Sequence, residues 1–75
     1  MRYNYSKLKG KIVEVCGSRK EFAERIGING VTLSYKLNGS SFFKSKEIEK
    51  AIKVLGIDRT QIPEYFFTPV EDHEH

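Results

Sequence analysis

The stretch from Ser18 to Gly39, SRKEFAERIGINGVTLSYKLNG, constrains the fold more than any other part of the chain. Its pattern predicts two short amphipathic helices joined by a tight turn. Ser18 and Glu21 have the spacing of a capping box at the start of the first helix, and Gly27 suits a left-handed residue at its end. Asn29 is a favourable cap for the second helix. An ordinary helical hairpin and a helix-turn-helix both fit this pattern.

The residues FAERIG, followed by Ile28, the capping Asn29 and VTLSYKLNG, resemble the helix-turn-helix of phage Cro and repressor proteins (XRE-like). The resemblance covers about residues 6–57. It implies an all-α fold, a small bundle of about five helices like the lambda-repressor DNA-binding domain. It also implies that the second helix of the motif, about Gly30–Leu37, enters the major groove of a palindromic operator.

Charge is distributed unevenly along the chain, whose net charge is +3. Residues 1–46 hold ten Lys or Arg and three Glu, a balance of +7, whereas residues 47–75 have a balance of −4. A solvated basic surface without a partner would show the same asymmetry. Because the basic part coincides with the motif, the pattern favours a protein that binds a polyanion.

The resemblance implies specific contacts with DNA. On the exposed face of the recognition helix we expect base contacts from Val31, Thr32 and Tyr35, although Val31 or Tyr35 could pack in the core instead. We expect contacts with the phosphate backbone from residues at helix ends and in the following loop. These are Arg19, Asn29, Ser34, Lys36, Ser40 and Lys44.

Two positions depart from the usual pattern of the resembling family. Gly30 stands where many relatives carry a long amide side chain that reads a base, so that contact is lost here. Lys36 stands where many relatives carry an apolar core residue. We expect Leu37 to take over that packing and Lys36 to turn toward phosphate, which leaves the rotation of the recognition helix open.

Three further segments have helical patterns. We expect a first helix over Tyr5–Cys16, and a fourth over Lys46–Leu55 with Ser45 as its cap and an i,i+4 ion pair between Glu49 and Lys53. Asp58 should then cap a short turn. In the connection before the fourth helix, at least one of two adjacent phenylalanines should anchor the loop on the core. The second helix is expected over Arg19–Ile26 and the short turn over Arg59–Ile62. The two adjacent phenylalanines are Phe42 and Phe43.

An apolar cluster late in the chain is the predicted dimer contact. It consists of Ile62, Tyr65, Phe66 and Phe67, and closing the bottom of the core is an equally good interpretation. We divide the chain into a helix-turn-helix DNA-binding domain over residues 1–67 and an acidic, flexible tail over 68–75. His73 and His75 in that tail are poor candidates for a functional metal site.

Composition excludes several classes of function. The 75 residues suffice for one small domain and contain neither an apolar run of membrane-spanning length nor an apolar signal segment. The single Cys16 fits a reducing cytoplasm. The chain shows no paired carboxylates, no Cys/His set and no phosphate-binding glycine loop, so we expect no enzyme activity, cofactor, metal or small-molecule ligand.

The sequence therefore favours a cytoplasmic, Cro-like transcriptional repressor of phage or prophage type. We expect it to bind a double-stranded DNA operator as a homodimer, which need assemble only on the DNA. The alternative is a helix-turn-helix that serves as a protein-interaction module, an antirepressor or an antitoxin-like partner. The basic half favours the first interpretation, and the missing side chain at Gly30 leaves room for the second.

Overall fold

The computed structural model describes residues 3–70, which form an all-helical domain with five α-helices. A 3₁₀ turn over Arg59–Gln61 precedes the last helix. Within the described residues no strand is present, and the only β-type pairing is a single bridge between Tyr3 and Pro69. The helices are α1 (Ser6–Cys16), α2 (Arg19–Ile26), α3 (Gly30–Leu37), α4 (Ser45–Leu55) and α5 (Ile62–Phe66).

Local signals set most of these boundaries. The Ser18 hydroxyl accepts a hydrogen bond from the Glu21 N–H at 3.1 Å, so one free donor at the start of α2 is satisfied. Gly27 ends the same helix with φ +81°, a conformation that costs a glycine little because it lacks a Cβ. The predicted bounds of α2 and α3 are therefore confirmed to the residue.

The start of α4 differs from the prediction. Ser45 is the first residue of the helix rather than its cap, and Lys44 occupies the capping position without a capping side chain. The Glu47 carboxylate instead accepts the Lys44 N–H at 2.7 Å. Glu49 pairs with Arg59 through two bonds of 2.6 and 2.7 Å. The expected pair of Glu49 with Lys53 is thus replaced by one that ties α4 to the 3₁₀ turn.

The core lies between α1, α2, α4 and α5, with α3 contributing one face. Phe22 on α2 and Phe66 on α5 are its largest fully buried side chains. The other buried apolar residues come from every helix and from the segments beside them. They are Tyr5, Leu8, Ile12, Ala23, Ile26, Leu33, Leu37, Ile48, Ala51, Ile52, Leu55, Ile57 and Tyr65.

Burial corrects part of the predicted dimer contact. Tyr65 and Phe66 are buried in the core of the single chain, and Phe66 keeps only 1% of its surface exposed. Neither side chain is available to a second subunit. Ile62 is half-buried, and Phe67 is the one exposed member of the predicted cluster, at 44%. Tyr65 and Phe66 therefore close the core, whereas Phe67 stays accessible to a second subunit.

The two ends of the described chain lie beside each other. The Asn4 N–H donates to the Thr68 carbonyl at 2.7 Å, next to the bridge between Tyr3 and Pro69. The first residues of the predicted tail are thus paired with the beginning of the chain, and its residues 71–75 lie outside the described part. Within residues 3–70, no helix combines the length and apolar composition needed to cross a membrane.

Candidate interaction surface

The turn between α2 and α3 is short and held by backbone bonds. The Ile28 N–H donates to the Ala23 carbonyl at 3.0 Å, and the half-buried Ile28 side chain packs against the core. The Asn29 side-chain oxygen then accepts the Thr32 N–H at 2.7 Å and caps α3. A side chain at Gly30 would meet open space, since no atom lies within 4 Å of its would-be Cβ. The start of α3 is therefore uncovered.

The outer face of α3 carries two large, exposed apolar side chains. Val31 is 63% exposed and Tyr35, one helical turn later, is 56% exposed. Thr32 and Ser34 beside them are half-buried. The core face of the same helix holds Leu33. The structure thus places the three predicted base-contact residues on or beside the face that points away from the core.

The loop after α3 adds a third exposed apolar side chain, Phe42, which is 61% exposed. Its ring lies 6.4 Å from the Tyr3 ring, edge to face, and the Tyr3 ring lies 5.4 Å from that of Phe67. The neighbouring Phe43 points the other way and packs on Phe66, with ring centres 5.4 Å apart. One phenylalanine of the pair anchors the loop, as predicted, and the other is presented to solvent.

Lys36 lies in the interior, which corrects the predicted phosphate contact. Only 4% of its surface is exposed. Its ammonium group donates to the Phe42 carbonyl at 2.9 Å and lies 3.0 Å from the Glu47 carboxylate. The Phe43 ring is 5.9 Å away. Because these groups surround the ammonium, Lys36 cannot reach a phosphate, and both it and Leu37 are buried.

The Glu47 carboxyl is the counterpart of this buried charge. Burial by itself would raise its pKa. The Lys44 N–H and the Lys36 ammonium outweigh burial because both stabilise the ionised form, so the pKa of Glu47 lies below its ordinary value. The Glu47 carboxylate is therefore ionised at neutral pH, and its contact with Lys36 joins the end of α3 to the first turn of α4.

The other predicted phosphate contacts differ in how exposed they are. Arg19 is exposed at the start of α2 and Lys44 at the start of α4. Asn29 and Ser40 are exposed, but the Asn29 oxygen is already used as a helix cap. Ser34 is half-buried on α3. Arg19 and Lys44 remain the two cations of the predicted set with exposed side chains.

A row of lysines follows the outer face of α4. Lys46, Lys50 and Lys53 are spaced four and three residues apart and are all exposed. Among the described residues none of them belongs to an ion pair. The acidic residues of the same helix are engaged elsewhere, Glu47 with Lys36 and Glu49 with Arg59. This row is thus an uncompensated basic surface.

Sequence reasoning missed two features of this surface, the exposure of Phe42 and the buried pair of Lys36 with Glu47. A signal existed for each. Two adjacent aromatic residues in an irregular loop rarely both point inward, so the sequence indicates that either Phe42 or Phe43 is exposed. Lys36 lies next to Leu37 and three residues after Leu33, so it shares the core face of the helix. A buried charge at that position requires an acidic partner.

These features define a class: small all-helical proteins whose third helix and following loop present exposed apolar side chains. The chain belongs to the family DUF739, described as a protein of unknown function, whose sequence profile matches residues 1–69. No curated protein matches the chain.

A solved structure of a phage protein is similar to this chain over almost its whole length. It is the solution structure of the modulator of repression (MOR) of the temperate bacteriophage TP901-1 from Lactococcus lactis. The two sequences are 44% identical, the match covers 95% of this chain and 97% of that chain, and the TM-score is 0.78. The predicted relation to phage regulators is confirmed at this coarser level, because the similar protein is itself a phage modulator of repression.

Proposed function

We propose that the chain is a phage regulatory protein that acts through a protein partner, a repressor whose activity it modulates. The observation that carries the proposal is that three large apolar side chains on α3 and in the loop after it are exposed, Val31, Tyr35 and Phe42, which together we call the candidate surface. The similarity to a modulator of repression supports it, since that protein's name refers to an effect on repression rather than to an operator.

The chemistry of this surface suits a protein more than a nucleic acid. Two of its three side chains are aromatic, and aromatic residues are enriched in the centres of protein interfaces, where charged residues are depleted. The one charge within the stretch, Lys36, is turned inward and neutralised by Glu47. Because Lys36 is buried, the exposed side chains between Val31 and Phe42 include no charged group.

The test is a titration of the purified chain with the repressor encoded in the same phage or prophage, without DNA, followed by calorimetry. We expect a complex. Tyr35→Ala should lower its affinity about 30-fold, the effect of removing a central interface residue worth about 2 kcal/mol. Val31→Ala should lower it less, because the smaller side chain buries less area.

The matched control is Val13→Ala on α1. Val13 is 56% exposed, close to the exposure of Val31, and lies on another helix. Its removal should leave the affinity unchanged. Equal losses for Val13→Ala and Val31→Ala would mean that α3 has no special role, and absence of any complex with the repressor would rule out the proposed function.

Direct binding of double-stranded DNA, as a Cro-like homodimer on an operator, is the second candidate function. The lysine row of α4 favours it. Lysines without an ion-pair partner can neutralise DNA phosphates, and this releases the counterions condensed on the DNA. The exposed Tyr35 and the half-buried Thr32, both on α3, would then contact base edges.

A gel shift or an anisotropy titration across a salt series tests this candidate. If the three lysines contact phosphates, K46Q/K50Q/K53Q should lower the slope of log K against log salt by about 2.7. The variant K7Q/K9Q/K11Q removes the same charge from α1 and serves as the control. Equal losses in the two variants would indicate net charge alone, and no binding by the wild-type chain would exclude the candidate.

A further inference from the structure

We infer that the buried pair of Lys36 and Glu47 positions the Phe42 ring for insertion into an apolar pocket of the partner. This inference rests on the proposed function. It makes Lys36 and Glu47 positioning residues, since neither touches the partner, and it makes Phe42 the anchor of the surface.

Filling this part of the core does not require an ion pair. Replacing a buried ion pair by apolar residues of similar volume is often neutral or stabilising, because the charges lose their hydration. An apolar residue at position 36 would pack beside Leu33 and Leu37 without that cost. The contacts of the pair show which part of the chain it holds in place.

The ammonium of Lys36 binds the backbone of the loop after α3. It donates to the carbonyl oxygen of Phe42 itself, at 2.9 Å, while Glu47 holds the ammonium from the other side at 3.0 Å. The same carboxylate oxygen accepts the Lys44 N–H at 2.7 Å. The loop is thus fixed at Phe42 and again two residues later.

The Phe42 ring is directed toward solvent. With the Phe42 carbonyl directed at the buried ammonium, its side chain is presented outward, while Phe43 packs inward against Tyr5 and Phe66. Tyr3 contacts one edge of the Phe42 ring and leaves 61% of the residue exposed. An aromatic ring held in this way loses little freedom on binding, which favours a hot-spot residue that fills a pocket.

The experiment replaces the pair with methionines, K36M/E47M, and measures the affinity for the repressor of the same phage. We expect a loss of about 10-fold or more, together with loss of the NMR cross-peaks between the Tyr3 and Phe42 rings. The control is E49M/R59M, which removes an ion pair from the exposed side of the same helix and the 3₁₀ turn. It should change the affinity less than about 2-fold.

A double-mutant cycle separates positioning from a general structural effect. Adding Phe42→Ala to K36M/E47M should lower the affinity less than about 2-fold further, because the ring is already misplaced. Adding Tyr35→Ala should still give its full effect. Multiplicative losses from K36M/E47M and Phe42→Ala would overturn the inference, as would unchanged affinity in K36M/E47M with the ring cross-peaks retained.

A second variant covers the case in which K36M/E47M does not fold. Lys36→Arg keeps the charge but replaces the compact ammonium by a larger planar guanidinium, which changes the bond to the Phe42 carbonyl, so the affinity should fall. The melting temperature of this variant checks that it is folded. Unchanged affinity of Lys36→Arg would contradict the inference. If the wild-type chain binds no repressor, the proposed function fails, and the ring cross-peaks still report whether the pair positions Phe42.

Discussion

Phe66 and Phe67 are adjacent in sequence, yet their replacement by alanine should have very different effects on stability. Phe66 is 1% exposed and packs on the Phe43 ring, whereas Phe67 is 44% exposed and contacts the Tyr3 ring. Phe66→Ala removes a fully buried ring and leaves a cavity, which costs about 3–5 kcal/mol. Phe67→Ala loses one aromatic contact, worth about 0.5–1.5 kcal/mol, and about half of the roughly 1.5–3 kcal/mol that full burial of a phenylalanine contributes.

The consequence of these costs depends on the total stability. A chain of 75 residues is stable by about 4–11 kcal/mol. Phe66→Ala should therefore lose about a quarter or more of that free energy and lower the melting temperature by at least about 12 °C. Phe67→Ala should lower the melting temperature less, because its loss of free energy is smaller. Each substitution removes the same atoms, so the difference reports only where the two rings lie.

The measurement is urea unfolding followed by far-UV circular dichroism at two protein concentrations. Comparable free-energy losses in the two variants would refute the placement of Phe66 inside and Phe67 outside. The two concentrations add a test of dimerisation, because a dimer is more stable at the higher concentration. A concentration dependence of the wild type that disappears in Phe67→Ala would assign the predicted dimer contact to Phe67.

Two further predictions concern acid stability and glycine replacement. Because the pKa of Glu47 is lower in the folded chain than its ordinary 4.5, its stabilising effect is complete above that pH and is lost as the pH falls through the folded-state pKa. The urea midpoint should therefore decrease more between pH 7 and pH 3.5 for the wild type than for K36M/E47M. Equal decreases in the two proteins would contradict this role for the pair. Gly10→Ala should stabilise α1 by about 0.5–1 kcal/mol, since its would-be Cβ meets no atom within 4 Å. Gly56→Ala should destabilise by about 1–2 kcal/mol, because Gly56 has φ +68°. Thermal unfolding of both glycine variants checks the signs, and a stabilised Gly56→Ala would contradict the reasoning.

Much of the helical framework could be predicted from the sequence because its signals are local. Ser18 and Asn29 cap α2 and α3 through bonds within three residues, and Gly27 ends α2 through its own backbone freedom. Such interactions need no other element to be in place. The boundary of α4 was less well predicted, because its first free donor is satisfied by Glu47 from inside the helix rather than by Ser45.

The candidate surface divides in the same way. Helical spacing placed Val31 and Tyr35 opposite Leu33, and the structure leaves both exposed. The same spacing could not say what would contact the helix from outside, so it did not distinguish a protein partner from DNA. An exposed apolar helix face is compatible with either partner, and the loop after α3 bears on that choice as much as the helix does.

The sequence by itself determined the helices, their caps and the turn between α2 and α3, because these depend on neighbours a few residues away. Only the tertiary structure decided the direction of Lys36, the separation of Phe42 from Phe43 and the burial of Phe66 beside an exposed Phe67. Each of these depends on a distant group: Glu47 across the loop for Lys36, Tyr5 and Phe66 for Phe43. The direction of a charged or aromatic side chain depends on the groups it packs against. Helical periodicity cannot identify these groups, because they come together only when the helices pack.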